Sequence, residues 1–111
     1  MKKMCVVLMV VAGTVATAFG HPASEVTISN AGETLTVTVA HGTRDVAIHY
    51  IDNVTIHVNG AKAVIQHCIR QTSPTAQTLT YVVPGLKKGD SVQAATHCNK
   101  SGHKTSKAQA Q

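Results

Sequence analysis

Seven histidines and three cysteines in a chain of 111 residues, against only five acidic side chains, set the chemistry this sequence can do. Imidazole and thiolate together are the protein ligands of borderline metals such as iron, zinc and copper. Other reactive arrangements have no support. There is no Ser/His/Asp spacing, no glycine-rich loop to cradle a phosphate and no pair of carboxylates for acid/base work. The chain has one phenylalanine, two tyrosines, no tryptophan and no arginine cluster, so nucleic acid is not an expected partner.

The elements that must position these residues are short strands. Residues 34–40 alternate, with Leu35, Val37 and Val39 on one face and Thr34, Thr36 and Thr38 on the other. That is the period of a half-buried strand. Residues 24–29, 46–51, 53–58, 61–70, 78–83 and 91–97 are also β-rich. Asn59-Gly60 is a strong hairpin turn signal, and Ser73-Pro74, Pro84-Gly85 and Gly89-Asp90 punctuate the rest. Seven strands without a helical period predict an all-β, immunoglobulin-like seven-stranded β-sandwich. The domain is expected over 19–104. The polar residues 105–111 are expected to be a disordered basic tail.

Strand phase sorts the ligand candidates. His41 continues the Leu35, Val37, Val39 face. Cys98 shares a face with Val92, Ala94 and Thr96, while His97 points away. His57 falls on the solvent face of its strand, and His67 reads as a packed histidine.

The start of the chain reads differently. Lys2 and Lys3 precede an apolar run, and Ala16-Thr17-Ala18 has the form of a cleavage site. This is the pattern of a secretory signal peptide over 1–18. The run is shorter than the roughly 20 residues of a membrane span, so no membrane attachment is expected after cleavage. The expected location is exported, in a periplasm. Cys5 would leave with the signal. Removal of Lys2 and Lys3 would leave eight basic against five acidic residues, a mildly basic chain. Cys68 and Cys98 would remain in an oxidising space. A disulfide between them is the ordinary expectation there. A metal thiolate at Cys98 excludes it, and both readings stand at this point.

His49-Tyr50-Ile51, the strand to Val58 and Asn59-Gly60 resemble the core of the superoxide reductase and desulfoferrodoxin (neelaredoxin-like) iron-binding family. Lys87-Lys88-Gly89-Asp90, a strand and then Cys98-Asn99 are similar to that family's closing segment. His21 and His41 stand twenty positions apart, close to the spacing of the family's first two histidines. The shared order covers nearly all of the chain after the signal. The resemblance implies a mononuclear non-haem iron ringed by imidazoles, with a cysteine thiolate beneath and an open position opposite. Carried over, His21, His41 and His49 match ring ligands and Cys98 the axial thiolate. The family's fourth histidine falls where this chain has Ser101, and His103 is the nearby substitute. The family's lysine before its first histidine is replaced here by Phe19-Gly20. Arg44 and Lys100, with Lys104, are candidates to draw an anion in its place.

The implied reaction is reduction of superoxide, the small-molecule substrate, to hydrogen peroxide, with an unknown electron donor. Copper or zinc is a weaker expectation for the same ligands. Two alternatives lie outside catalysis. An exported metal carrier would use His21, third in the chain after cleavage at Ala18, in an N-terminal copper chelate. A sulfur-carrier-like interaction module, with a similar sandwich, would need no metal. Self-association into a homo-oligomer stays open.

Overall fold

The computed structural model describes residues 21–111. The signal peptide expected over 1–18 lies outside the described residues. Seven strands follow: β1 (Glu25–Ala31), β2 (Thr34–Ala40), β3 (Ile51–Val58), β4 (Ala61–His67), β5 (Ala76–Val82), β6 (Ser91–Cys98) and β7 (His103–Gln109). They form two antiparallel sheets, β1-β2-β5 and β4-β3-β6-β7. This is the expected β-sandwich, with the strand distribution of immunoglobulin-like domains. No helix among the described residues is long and apolar enough to cross a membrane.

Alternation in the sequence becomes the two inner faces. Leu35, Val37 and Val39 of β2 are fully buried. They meet Ile51, Val54 and Ile56 of β3 and Val92, Ala94 and Cys98 of β6 in one core. Each large aliphatic side chain taken out of water there contributes about 1.5–3 kcal/mol. The β3–β4 hairpin turns on Asn59 and Gly60, both at positive φ, 50° and 85°, as a two-residue hairpin of this twist requires. Asp90 closes the same end. Its carboxylate accepts from the Lys87 backbone N–H and from the Asn59 amide, and both hold its pKa below the ordinary carboxylate value.

Two sequence expectations are corrected. Residues 46–50 are not part of a strand. The Asp45 carboxylate accepts from the Ala47 N–H, and the Asp45 carbonyl accepts from the Ile48 and His49 N–H groups. That capped turn satisfies the backbone locally and overrides the β-rich composition. Residues 105–111 are not a disordered tail. They belong to β7 and its continuation, paired along β6 from His97↔His103 to Ser91↔Gln109. The polar composition hid a period of two, with Ser106, Ala108 and Ala110 turned inward and Thr105, Lys107 and Gln109 outward. Asn30 then bonds the backbone of Gln111 twice, from its amide nitrogen at 3.0 Å and to its amide oxygen at 2.8 Å. The sandwich domain therefore runs to the end of the sequence given.

Candidate metal centre

The segment before β1, the loop from β2 to β3 and the end of β6 meet at one edge of the sandwich. β2 delivers His41. It is the next inward position after Val39 and is 1% exposed, and its N–H donates to the Thr75 carbonyl at 2.9 Å. β6 delivers Cys98 as the last residue of its inward face, opposite Ile51 on β3 and 0% exposed. The Asp45 turn lifts His49 over the opening between them. His21 arrives from the segment before β1.

The imidazoles of His21, His41 and His49 form a cluster. Their ring centroids stand 4.7 Å, 5.3 Å and 4.8 Å apart for the pairs 21–41, 21–49 and 41–49. Each offers one nitrogen within 4.8 Å of the other two. Among the described residues this is the one group of three or more such ligands close enough to hold a metal ion. Trans imidazole nitrogens on one ion span about 4.2 Å at bonds of about 2.1 Å, so the spacing is of the right order.

Cys98 is not one of that group of three and touches it at a single member. Its Sγ lies 3.2 Å from His49 Nε2. A thiolate and an imidazole bound at a right angle on one ion, at about 2.3 and about 2.1 Å, stand about 3.1 Å apart. Both Cys68 and Cys98 are free thiols, so the disulfide alternative is not realised. Cys68 sits away from the cluster, its sulfur accepting from the Gln77 amide at 3.4 Å, and burial pushes its pKa up. It is not an activated thiol.

Two amide side chains hold the cluster. Gln71 is 2% exposed and uses both polar atoms of its side chain. Its Nε2 donates to the backbone carbonyls of His41 at 2.7 Å and Ser73 at 2.9 Å. Its Oε1 accepts from the Ile51 N–H at 3.2 Å and faces His41 Nδ1 at 2.8 Å. The backbone partners fix which way the amide points, so His41 Nδ1 must carry the proton. His41 Nε2 then faces the His21 carbonyl oxygen at 3.1 Å. Unprotonated, those are two acceptors in contact, an arrangement that a cation relieves. The donor set and this contact therefore fit a metal.

Asn99 does the same for His49 from both flanks. Its Oδ1 accepts from the Tyr50 N–H, and its Nδ2 donates to the Ile48 carbonyl, each at 2.9 Å. The pKa of His49 is lowered by burial first, then by His41, His21 and Lys100. The neutral ring, the form able to ligate a metal, is therefore favoured at neutral pH.

The other candidates separate. Lys100 is exposed beside the site, with its N–H 3.4 Å from Cys98 Sγ. Arg44 is exposed on the loop that carries His41 and His49. His103 does not join the imidazoles. Register places it opposite His97 on β6, on the outer face of the sheet. The reason is the turn: Cys98 N–H bonds the Gly102 carbonyl at 3.0 Å, which reverses the chain before His103 can reach the inner side. Strand phase had no access to that turn. Gln71, a loop glutamine, carried no sequence signal at all.

The same turn supports His21. Gly102 has φ +86°, and a Cβ there would lie 2.8 Å from Pro22 Cδ and 3.0 Å from Pro22 N. Gly102→Ala should therefore cost about 1–2 kcal/mol in backbone strain alone. It should also displace Pro22 with the adjacent His21, and so weaken metal binding more than Gly85→Ala, whose Cβ meets nothing within 4 Å. Parallel melts and metal titrations of the two variants check this. Equal metal affinity in both would mean that the Gly102–Pro22 contact does not place His21.

No protein-family model matches the chain, and no curated protein matches it.

Proposed function

We propose that His21, His41, His49 and Cys98 hold one iron ion and that the protein reduces superoxide to hydrogen peroxide, as the resemblance to superoxide reductases implies. The observation that carries this reading is the free, buried Cys98 sulfur 3.2 Å from an imidazole of the three-histidine cluster. Ferrous iron bound there would supply the single electron that superoxide takes up, with two protons from solvent, to become hydrogen peroxide. The residues of this chain do the rest. Gln71 and Asn99 keep His41 and His49 aimed. Cys98 as a thiolate donates charge from the core side. His21 and His49 are only half-buried, so water reaches the outer side of the cluster. Lys100 on the β6–β7 turn, and Arg44 on the loop that carries His41 and His49, give that rim the positive sign that draws in an anion.

Apo and anaerobically iron-loaded protein, exposed to a superoxide flux with an excess of reductant, test it. The iron-loaded form is expected to consume superoxide and release hydrogen peroxide, and the apo form to do neither. Iron bound without superoxide consumption would end the catalytic reading.

One observation favours a second reading. With His103 on the outer face, the chain supplies three imidazoles and one thiolate. Four donors of those types also complete a closed zinc site and suit copper, as an exported metal-binding protein would need. The metal that copurifies from an unsupplemented culture discriminates, because a catalytic iron protein must carry iron there.

A further inference from the structure

We propose that His97, with Asp52 behind it, and His103 form a second site for a divalent borderline cation, on the outer face of the β4-β3-β6-β7 sheet. It does not rest on the reading of the first site.

The placement follows from register. His97 on β6 and His103 on β7 are direct cross-strand partners. The neighbouring pair, Cys98 with Gly102, is joined by the 3.0 Å bond from the Cys98 N–H to the Gly102 carbonyl. Hydrogen-bonded and non-hydrogen-bonded pairs alternate along an antiparallel ladder, so His97 and His103 are a non-hydrogen-bonded pair. Side chains in such pairs stand closest, with Cβ atoms about 4.5–5.5 Å apart. Both histidines are exposed. Two imidazoles on one face at that separation can bind one cation from adjacent strands, water filling the remaining positions.

Asp52 supplies the orientation. Its Oδ1 lies 2.7 Å from His97 Nδ1, so the ring donates its Nδ1 proton to the carboxylate and, when neutral, keeps its lone pair on Nε2. A carboxylate behind a histidine fixes the tautomer and raises the ligand's basicity, the arrangement found behind metal-binding histidines. Nothing of the kind prepares His67, the other histidine of this row. Its Nδ1 accepts from the Asn53 amide at 3.2 Å, which puts the proton on Nε2. Zinc(II) and copper(II) are the cations that such an imidazole pair suits, and a hard cation such as magnesium is not.

Zinc titration by calorimetry on the metal-free full chain tests the proposal. The wild type is expected to take up a second, weaker equivalent of zinc beyond the first site. His103→Ala and His97→Ala should each lose that equivalent and keep the first. Asp52→Asn should weaken it by about 10–100-fold. His67→Ala should leave it unchanged. Amide chemical-shift changes in the second phase should centre on residues 97 and 103. A wild type with no zinc equivalent that His103→Ala removes overturns the assignment.

Discussion

Cys98→Ser is expected to remove the thiolate-to-iron charge-transfer absorption completely and to lower iron affinity by more than about 100-fold. Loss of a mere supporting hydrogen bond behind a ligand costs about 10–100-fold, and loss of a ligand should exceed it. The fold should survive. Cys98 is fully buried, but serine is close to it in size, and its hydroxyl can use the partners the sulfur has, His49 Nε2 and the Lys100 N–H. The stability cost is then about 1 kcal/mol. Chemical denaturation alongside iron titration separates the two effects. If Cys98→Ser binds iron as the wild type does, with the same visible spectrum, the sulfur is no ligand and the three histidines act without it.

Gln71→Ala is expected to have the largest effect on stability, about 3 kcal/mol or more. Four groups lose their partner at once: the carbonyls of His41 and Ser73, the Ile51 N–H and His41 Nδ1. Each buried polar group left unpaired costs about 1–3 kcal/mol, and relaxation and entering water recover part of the sum. Metal affinity should fall about 10–100-fold as well, because His41 loses the acceptor that fixes its tautomer. Gln71→Glu is the informative companion. It keeps an acceptor for Ile51 and His41 Nδ1 but sets a carboxylate oxygen against two carbonyls. It should therefore retain more of the metal affinity than alanine while remaining destabilised. An urea midpoint for Gln71→Ala within error of the wild type would mean that the glutamine network is not structural.

The sandwich was legible because its central strands obey a simple rule. In β2 and β6 the inward residues, Thr96 apart, are apolar and alternate strictly, so burial could be read from phase. The same rule placed His41 and Cys98 correctly, since each sits one step along an inward face. The rule failed where backbone chemistry outweighed composition. Residues 46–50 are β-rich but belong to the Asp45 turn, whose hydrogen bonds replace a ladder. β7 was invisible because its inward residues, Ser106 and Ala108, and Ala110 just after it are small side chains that carry little hydrophobic signal.

The ligand candidates divide along the same line. His49 was reached through a resemblance and not through phase, and its position depends on Asp45 and Asn99. His103 was offered at the first site as the nearby substitute for the family's fourth histidine, two positions beyond Ser101. Spacing does not say which face a residue takes after a turn, and the Cys98–Gly102 bond decides it. Gln71 shows the other limit. A glutamine in a loop of serine, threonine and proline looks like solvent-facing filler, and only the folded chain brings it between His41 and Ile51.

X-ray absorption at the iron edge of the iron-loaded full chain tests the central claim most directly. A single sulfur scatterer in the first shell, accompanied by imidazole nitrogens and lost in Cys98→Ser, is the predicted result. A first shell of nitrogen and oxygen alone in the wild type would contradict it.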